Sequence, residues 1–251
     1  MRASGIDPIR AVLFDFYGTL ARAVTWGDTH EQVFARHGLA FDAENWGWNF
    51  IGQTNDGDDH AEHSTSREAY VAWELDRLRR RARACGVGDD DLDALVADLH
   101  SASKTYTLKA YDDVADVLAE LRRRGLILAI CSNWDWDIDR AVAGAGLDGM
   151  VDVVVTSARA GARKPHPRIF RHTLQRCYVA PPEALFVGDT MYADVEGPLA
   201  YGMRAVHVWR DDMVGEPPPL PAGAHRAADL SRWLSSREER AAYRNHIQLE
   251  R

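Results

Sequence analysis

The chain has 251 residues, 46% hydrophobic and 27% charged, and its 38 acidic against 30 basic side chains leave a formal net charge of −8. That composition excludes a disulfide-stapled miniature and fits one large globular domain or a main domain with a smaller one. The acidic balance gives no general attraction to nucleic acid or anionic lipid, apolar runs such as AVLF and LILAI are too short for a bilayer span, and the opening MRASGIDPIR lacks the apolar stretch of a signal peptide. The expected setting is cytoplasmic and the expected partner a small molecule, with neither nucleic acid nor membrane. Cys85, Cys131 and Cys177 are scattered without C-x-x-C spacing, so reduced thiols are expected and a zinc site is not favoured.

Along the chain, the first predicted strand is Val12 to Phe16. Residues 21–108 then show helical stripes and no convincing strand. Val71, Leu75, Leu78, Ala82 and Cys85 fall at alternating spacings of four and three, and Leu92, Leu95, Val96 and Leu99 likewise share one helical face. Trp26, Trp46, Trp48 and Trp73 are expected to form the packing core of this helical module. The tract Asp56 to His63 reads as a solvated loop rather than a second metal site. Beyond residue 110 the pattern alternates. A helix begins at Asp112 and Asp113, buries Val114, Val117, Leu118 and Leu121, and stops after Arg122 to Arg124 at Gly125, with charges and stop residue matching the helix dipole. Strands are predicted at Ile127 to Ser132, Val151 to Thr156, Leu185 to Val187 and Ala205 to Val208, and Pro198 is harmless if a short helix begins there. Short β-branched runs separated by amphipathic helices specify an α/β, Rossmann-like parallel sheet built from 1–20 and 109–251, interrupted by a smaller all-helical domain at 21–108.

In such a sheet, ligands bind where strands end. Four ends carry suggestive side chains: Phe14-Asp15-Phe16-Tyr17-Gly18-Thr19-Leu20, then Cys131-Ser132-Asn133, then Ala162-Arg163-Lys164-Pro165, then Gly188-Asp189-Thr190 with Asp194 beyond. Singly, each reads as a loop cap, a helix start, a solvated lysine or a turn. Together and in this order they resemble the haloacid dehalogenase-like superfamily of aspartate-nucleophile hydrolases, with all four family motifs present between about residues 11 and 210 and a helical cap inserted after the first. The phrases Lys164-Pro-His-Pro-Arg-Ile-Phe170 and Gly188-Asp-Thr-Met-Tyr-Ala-Asp194 are similar to its phosphatase-type members.

The resemblance implies a role for each residue. Asp15 is the nucleophile, Gly18 lets the backbone turn so that amides face the substrate, and Thr19 orients the Asp15 carboxylate. Ser132 and the Asn133 amide hold phosphoryl oxygens at the start of the following helix, while Lys164 neutralises charge shared by nucleophile and transferring group. Asp15, Asp189, Asp194 and the main-chain carbonyl of Tyr17 form an oxygen-rich site for Mg²⁺. Tyr17 departs from the phosphatase pattern, which places a second aspartate there to move protons. A phenol with an ordinary pKa of about 10 replaces that carboxyl poorly, whereas the family's metal-free 2-haloacid dehalogenases carry tyrosine at this position. Asp189 argues the other way, because a further carboxylate beside Asp15 repels it unless a cation lies between. The expected function is Mg²⁺-dependent hydrolysis of a small phosphorylated metabolite through an aspartyl-phosphate. The alternatives are a metal-independent 2-haloacid dehalogenase using Asp15, and a catalytically weak protein that binds a phosphate ligand.

Overall fold

The computed structural model describes residues 8–47 and 59–235. Trp48, Asp56 and the charged stretch from Arg237 lie outside these. In chain order the strands are β1 (Ala11–Phe14), β2 (Ala21–Trp26), β3 (Tyr106–Ala110), β4 (Ile127–Ser132), β5 (Val153–Thr156), β6 (Ala184–Gly188), β7 (Arg204–Val208) and β8 (Ala224–Ala227). The helices are α1 (His30–Arg36), α2 (Arg67–Ala84), α3 (Asp89–Ala102), α4 (Val114–Arg123), α5 (Ile138–Gly144), α6 (Ser157–Ala160), α7 (Pro167–Cys177), α8 (Gly197–Ala200) and α9 (Leu230–Ser235). Contacts divide the chain into two compact units, Met1–Arg22 with Lys109–Arg251, and Ala23–Leu108.

The first unit is an α/β domain around a parallel six-stranded sheet ordered β5-β4-β1-β6-β7-β8. β1 sits inside it, pairing through Ala11 with both Ile127 and Ala184. All of β1 is buried, as the unbroken run AVLF requires of a strand covered on both faces. Leu13 joins Ala129, Val155, Ile169, Phe170, Leu174 and Phe186 in the core under α7. The next side chain, Phe14, points to the other face and meets Trp233 of α9 edge-on, at 6.4 Å between ring centres. α4 buries the predicted stripe of Val114, Val117, Leu118 and Leu121, and Gly125 follows it at φ +77°. Pro198 lies in the first turn of α8, where its missing N–H costs no helical bond.

β8 was not predicted, because Ala-His-Arg-Ala has almost no apolar signal and pairs only at the sheet edge beside β7. Residues 21–108 are not all helical, since β2 and β3 form a two-stranded sheet of their own. Both strands are largely exposed and mix polar with apolar residues, so neither shows a buried run.

The second unit packs Val33 and Phe34 of α1, Leu78 and Ala82 of α2, and Leu92, Leu95, Val96 and Leu99 of α3 around a fully buried Trp46. Thr29 and Gln32 cap α1 reciprocally, and Asp89 to Asp91 sit favourably in the first turn of α3. The other described tryptophans depart from the expected shared core. Trp26 is 48% exposed and stacks on Tyr106 across the ribbon, with ring centres 5.6 Å apart. Trp73 instead lies against His60, His63 and Tyr70. Within the described part of the Asp56 to His63 tract His60 is buried, whereas Asp59, Glu62 and His63 are exposed.

His30 packs on Trp46 at 5.0 Å between ring centres. Burial, reinforced by the guanidiniums of Arg81 and Arg77, pushes its pKa down from the ordinary 6.5 to about 4. Between those values the unfolded chain binds the proton and the folded chain does not. This group's contribution is therefore full above pH 6.5 and is lost as pH falls towards 4, by up to about 3 kcal/mol. His30→Phe keeps a ring against Trp46 and should flatten the acid side of the stability profile relative to wild type. Parallel melting-temperature curves for the two proteins between pH 7 and pH 4 would contradict this.

Candidate active site

The site forms where β1, β4 and β6 end. Asp15 follows β1 directly, and its N–H still bonds the Val187 carbonyl of β6 at 2.9 Å. The chain then turns tightly: the N–H groups of Leu20 and Ala21 both reach the Phe16 carbonyl at 2.9 Å. Gly18 takes φ +84°, and a Cβ there would stand 2.5 Å from Asp189 Oδ2. Only glycine satisfies both the left-handed backbone and that approach. Gly188 is equally constrained, since a Cβ on it would lie 2.4 Å from Asp194 Cβ. A wide π-helical turn, Met191–Glu196, brings Asp194 back under the end of β6, where its Oδ2 accepts the Thr190 N–H at 3.0 Å.

Lys164 Nζ donates to Asp15 Oδ1 and to Asp194 Oδ1, both at 2.6 Å, from a buried position. Burial alone would lower the lysine's pKa, but Asp15 and Asp194 outweigh it and hold the ammonium charged. One oxygen from each of Asp15, Asp189 and Asp194 lies within 4.8 Å of the others. The resulting excess of negative charge shows in the titration of the group. Burial, opposed by Lys164 and assisted by Asp15, pushes Asp194 up to about 6. Burial with the charges of Asp15 and Asp194 holds Asp189 well above the ordinary carboxylate range. Three hard oxygen donors and a surplus of negative charge fit a divalent cation such as Mg²⁺.

The arrangement matches a known family. A family model described as haloacid dehalogenase-like hydrolase covers residues 9–202. The chain belongs to the haloacid dehalogenase-like hydrolase family. It is 36% identical to a phosphoserine phosphatase of Thermus thermophilus over 61% of this chain and 63% of that one. It is 29% identical to an (S)-2-haloacid dehalogenase 4A of Burkholderia cepacia over 94% of this chain and all of that one. A crystal structure of a HAD phosphatase from Thermococcus onnurineus shares the fold, with a TM-score of 0.57 at 23% identity over 90% of this chain and 97% of that one. The first curated relatives are matched over only 55–63% of their own length.

Several residues of this haloacid dehalogenase-like chain stand differently from expectation. Thr19 does not reach Asp15; its hydroxyl donates to Asp189 Oδ1 at 3.1 Å. Ser132 and Asn133 do not start a helix, because Asp135 Oδ1 takes the Asp137 N–H at 2.9 Å and turns the chain before α5 begins at Ile138. Neither residue therefore lies at a helix N-terminus. Ser132 is buried at the end of β4. Asn133 clamps the backbone of Lys164, its Oδ1 accepting the lysine N–H at 2.6 Å and its Nδ2 donating to the lysine carbonyl at 3.1 Å. The Tyr17 ring is 42% exposed.

His207 was missed by the sequence reading. Fully buried in β7, it donates from Nε2 to the Asp189 carbonyl at 2.9 Å, and its Nδ1 accepts from Arg226 Nε at 3.1 Å. Both nitrogens are thereby assigned in the neutral ring, and burial lowers its pKa further. A single histidine inside an apolar strand gave no sign of this partner.

Proposed function

We propose that the protein is a Mg²⁺-dependent phosphohydrolase acting on a small phosphorylated metabolite. The observation that carries this is the convergence of Asp15, Asp189 and Asp194 on a space where, among the described residues, one ammonium, that of Lys164, pairs with Asp15 and Asp194. Asp15, Asp189, Asp194 and the Tyr17 main-chain carbonyl would hold the ion, which when bound supplies positive charge opposite the phosphoryl oxygens. In the first step an Asp15 oxygen bonds to phosphorus as the ester P–O bond breaks, and the departing oxygen takes a proton from solvent. Water then attacks the aspartyl-phosphate, releasing inorganic phosphate and restoring the carboxylate. Lys164 offsets the charge that builds up on the transferring group, with Ser132 and the Asn133 amide binding its oxygens. The unit Ala23–Leu108 stands in sequence where the family inserts its cap and is assigned that role.

A second reading, metal-free 2-haloacid dehalogenation with the same Asp15, is favoured by Tyr17 and by the long match to the Burkholderia cepacia dehalogenase. One assay separates the readings. Inorganic phosphate from a panel of phosphate esters and halide from 2-chloropropionate are measured in parallel, with Mg²⁺ and with chelator. Phosphate release that needs Mg²⁺ supports the proposal. Halide release in chelator establishes the dehalogenase, and Mg²⁺ and phosphate binding without turnover establishes the weak binder.

Tyr17 makes a sharper forecast within the phosphatase reading. Without a carboxylic acid to protonate the leaving oxygen, aryl and acyl phosphates should turn over much faster than alkyl phosphates. Tyr17→Asp should then accelerate alkyl phosphates selectively, by up to roughly 10²–10⁴-fold. Equal gains for both substrate classes would contradict the missing-acid account.

A further inference from the structure

Arg210 lies two residues past β7, outside the stretch that the family model matches, and it is buried. Its Nη1 donates to both carboxylate oxygens of Asp113, at 2.8 and 2.9 Å, and its Nη2 donates to the Thr19 carbonyl at 2.6 Å. The Tyr111 ring covers the guanidinium, whose carbon is 4.0 Å from the ring centre. Asp113 stands at the N-terminus of α4 yet does not cap it. Its carboxylate serves Arg210 and the Leu230 N–H, the latter at 2.7 Å. Arg210 Nε is buried and meets no hydrogen-bond partner among the described residues. A buried guanidinium left partly unsatisfied is costly, and one of the contacts that hold it in place, the Thr19 carbonyl, lies on the loop that follows Asp15.

That loop sets the position of Asp189. The Thr19 hydroxyl holds Asp189 Oδ1, and the Gly18 backbone is packed so closely on the same carboxylate that a Cβ would stand 2.5 Å from its Oδ2. A shift of the Thr19 backbone therefore moves the bond that aims Asp189.

We propose that Arg210 is a positioning residue that fixes the Thr19 backbone and, through the Thr19 hydroxyl, the Asp189 carboxylate at the metal site. The inference rests on the Mg²⁺-dependent reading above. Residues that orient a metal ligand typically change affinity by roughly 10–100-fold when altered. The test is calorimetric titration of Mg²⁺ into metal-stripped wild type, Arg210→Lys, Thr19→Val and the double variant, with melting curves of each in chelator. Lysine keeps the charge and loses the fork that spans Asp113 and the Thr19 carbonyl. Arg210→Lys and Thr19→Val should each weaken Mg²⁺ binding by about tenfold, and the double variant should bind no more weakly than the weaker single one, since both act on one ligand. Wild-type affinity in Arg210→Lys, or losses that multiply in the double variant, would overturn the inference and leave the metal-dependent reading intact. A wild type that takes up no Mg²⁺ overturns both. If Arg210→Lys does not fold, Asp113→Asn, which loosens the same guanidinium in place, is read against the same two outcomes.

Discussion

Asp15→Asn should leave the fold intact and cut turnover by about 10⁴-fold or more, because in the proposed mechanism it removes the group that bonds to the substrate and replaces it with an amide of the same shape. Asp15 closes a strand that is buried along its whole length, and its N–H bond to Val187 is unaffected by the change. The asparagine carbonyl can still accept from Lys164. The variant also removes one negative charge from a site crowded with three carboxylates, so its melting temperature in chelator should match or exceed that of wild type. Wild-type kcat in Asp15→Asn on the best substrate would remove Asp15 from the mechanism. A large loss of kcat accompanied by unfolding would instead assign it a structural role.

Lys164→Met should have the largest effect on stability. The ammonium is buried at 2.6 Å from both Asp15 and Asp194, and removing one member of a buried ion cluster leaves the other charges without compensation, at a cost of about 3–5 kcal/mol. Chemical denaturation in chelator at neutral pH measures this directly. The penalty should shrink as pH falls from neutral towards 6, because without the ammonium Asp194 is pushed still further up and a protonated carboxyl no longer needs a counter-charge. kcat should fall by at least about 10²–10³-fold, the usual effect of losing a preorganised electrostatic partner. Superimposable denaturation curves for wild type and variant would show that the two ion pairs contribute little.

Asp15 and Lys164 also mark how far the sequence can be read. β1 and β4 were legible because a strand covered on both faces needs an unbroken apolar run, and AVLF and ILAIC provide it. β2, β3 and β8 were not, because each is largely exposed or at an edge and carries polar residues along its length. At the site, Asp15 and Lys164 are 149 residues apart in sequence and touch in space. Their meeting was inferred from the order of four strand-end motifs, since no local pattern links them. The hydrogen-bond partners were beyond reach. Thr19 turns to Asp189 rather than to its neighbour Asp15 because the Gly18 turn carries the chain against β6, and Asn133 turns to Lys164 because α5 starts later than its sequence indicates. His207 and Arg210 act from β7 and just beyond it, where nothing in the local sequence distinguishes a buried polar residue that supports the site from one that merely packs.

In the proposed function the phosphoryl group is transferred to Asp15 in a reaction that needs a divalent cation. The most direct measurement is mass spectrometry of acid-quenched protein after brief incubation with an aryl phosphate, with Mg²⁺ and with chelator, followed by mapping of the peptide that contains Asp15. A phosphoryl adduct on Asp15 that forms with Mg²⁺ and is missing in chelator is the predicted result. No phosphoryl adduct with Mg²⁺, together with an ester on Asp15 formed from 2-chloropropionate in chelator, would contradict it.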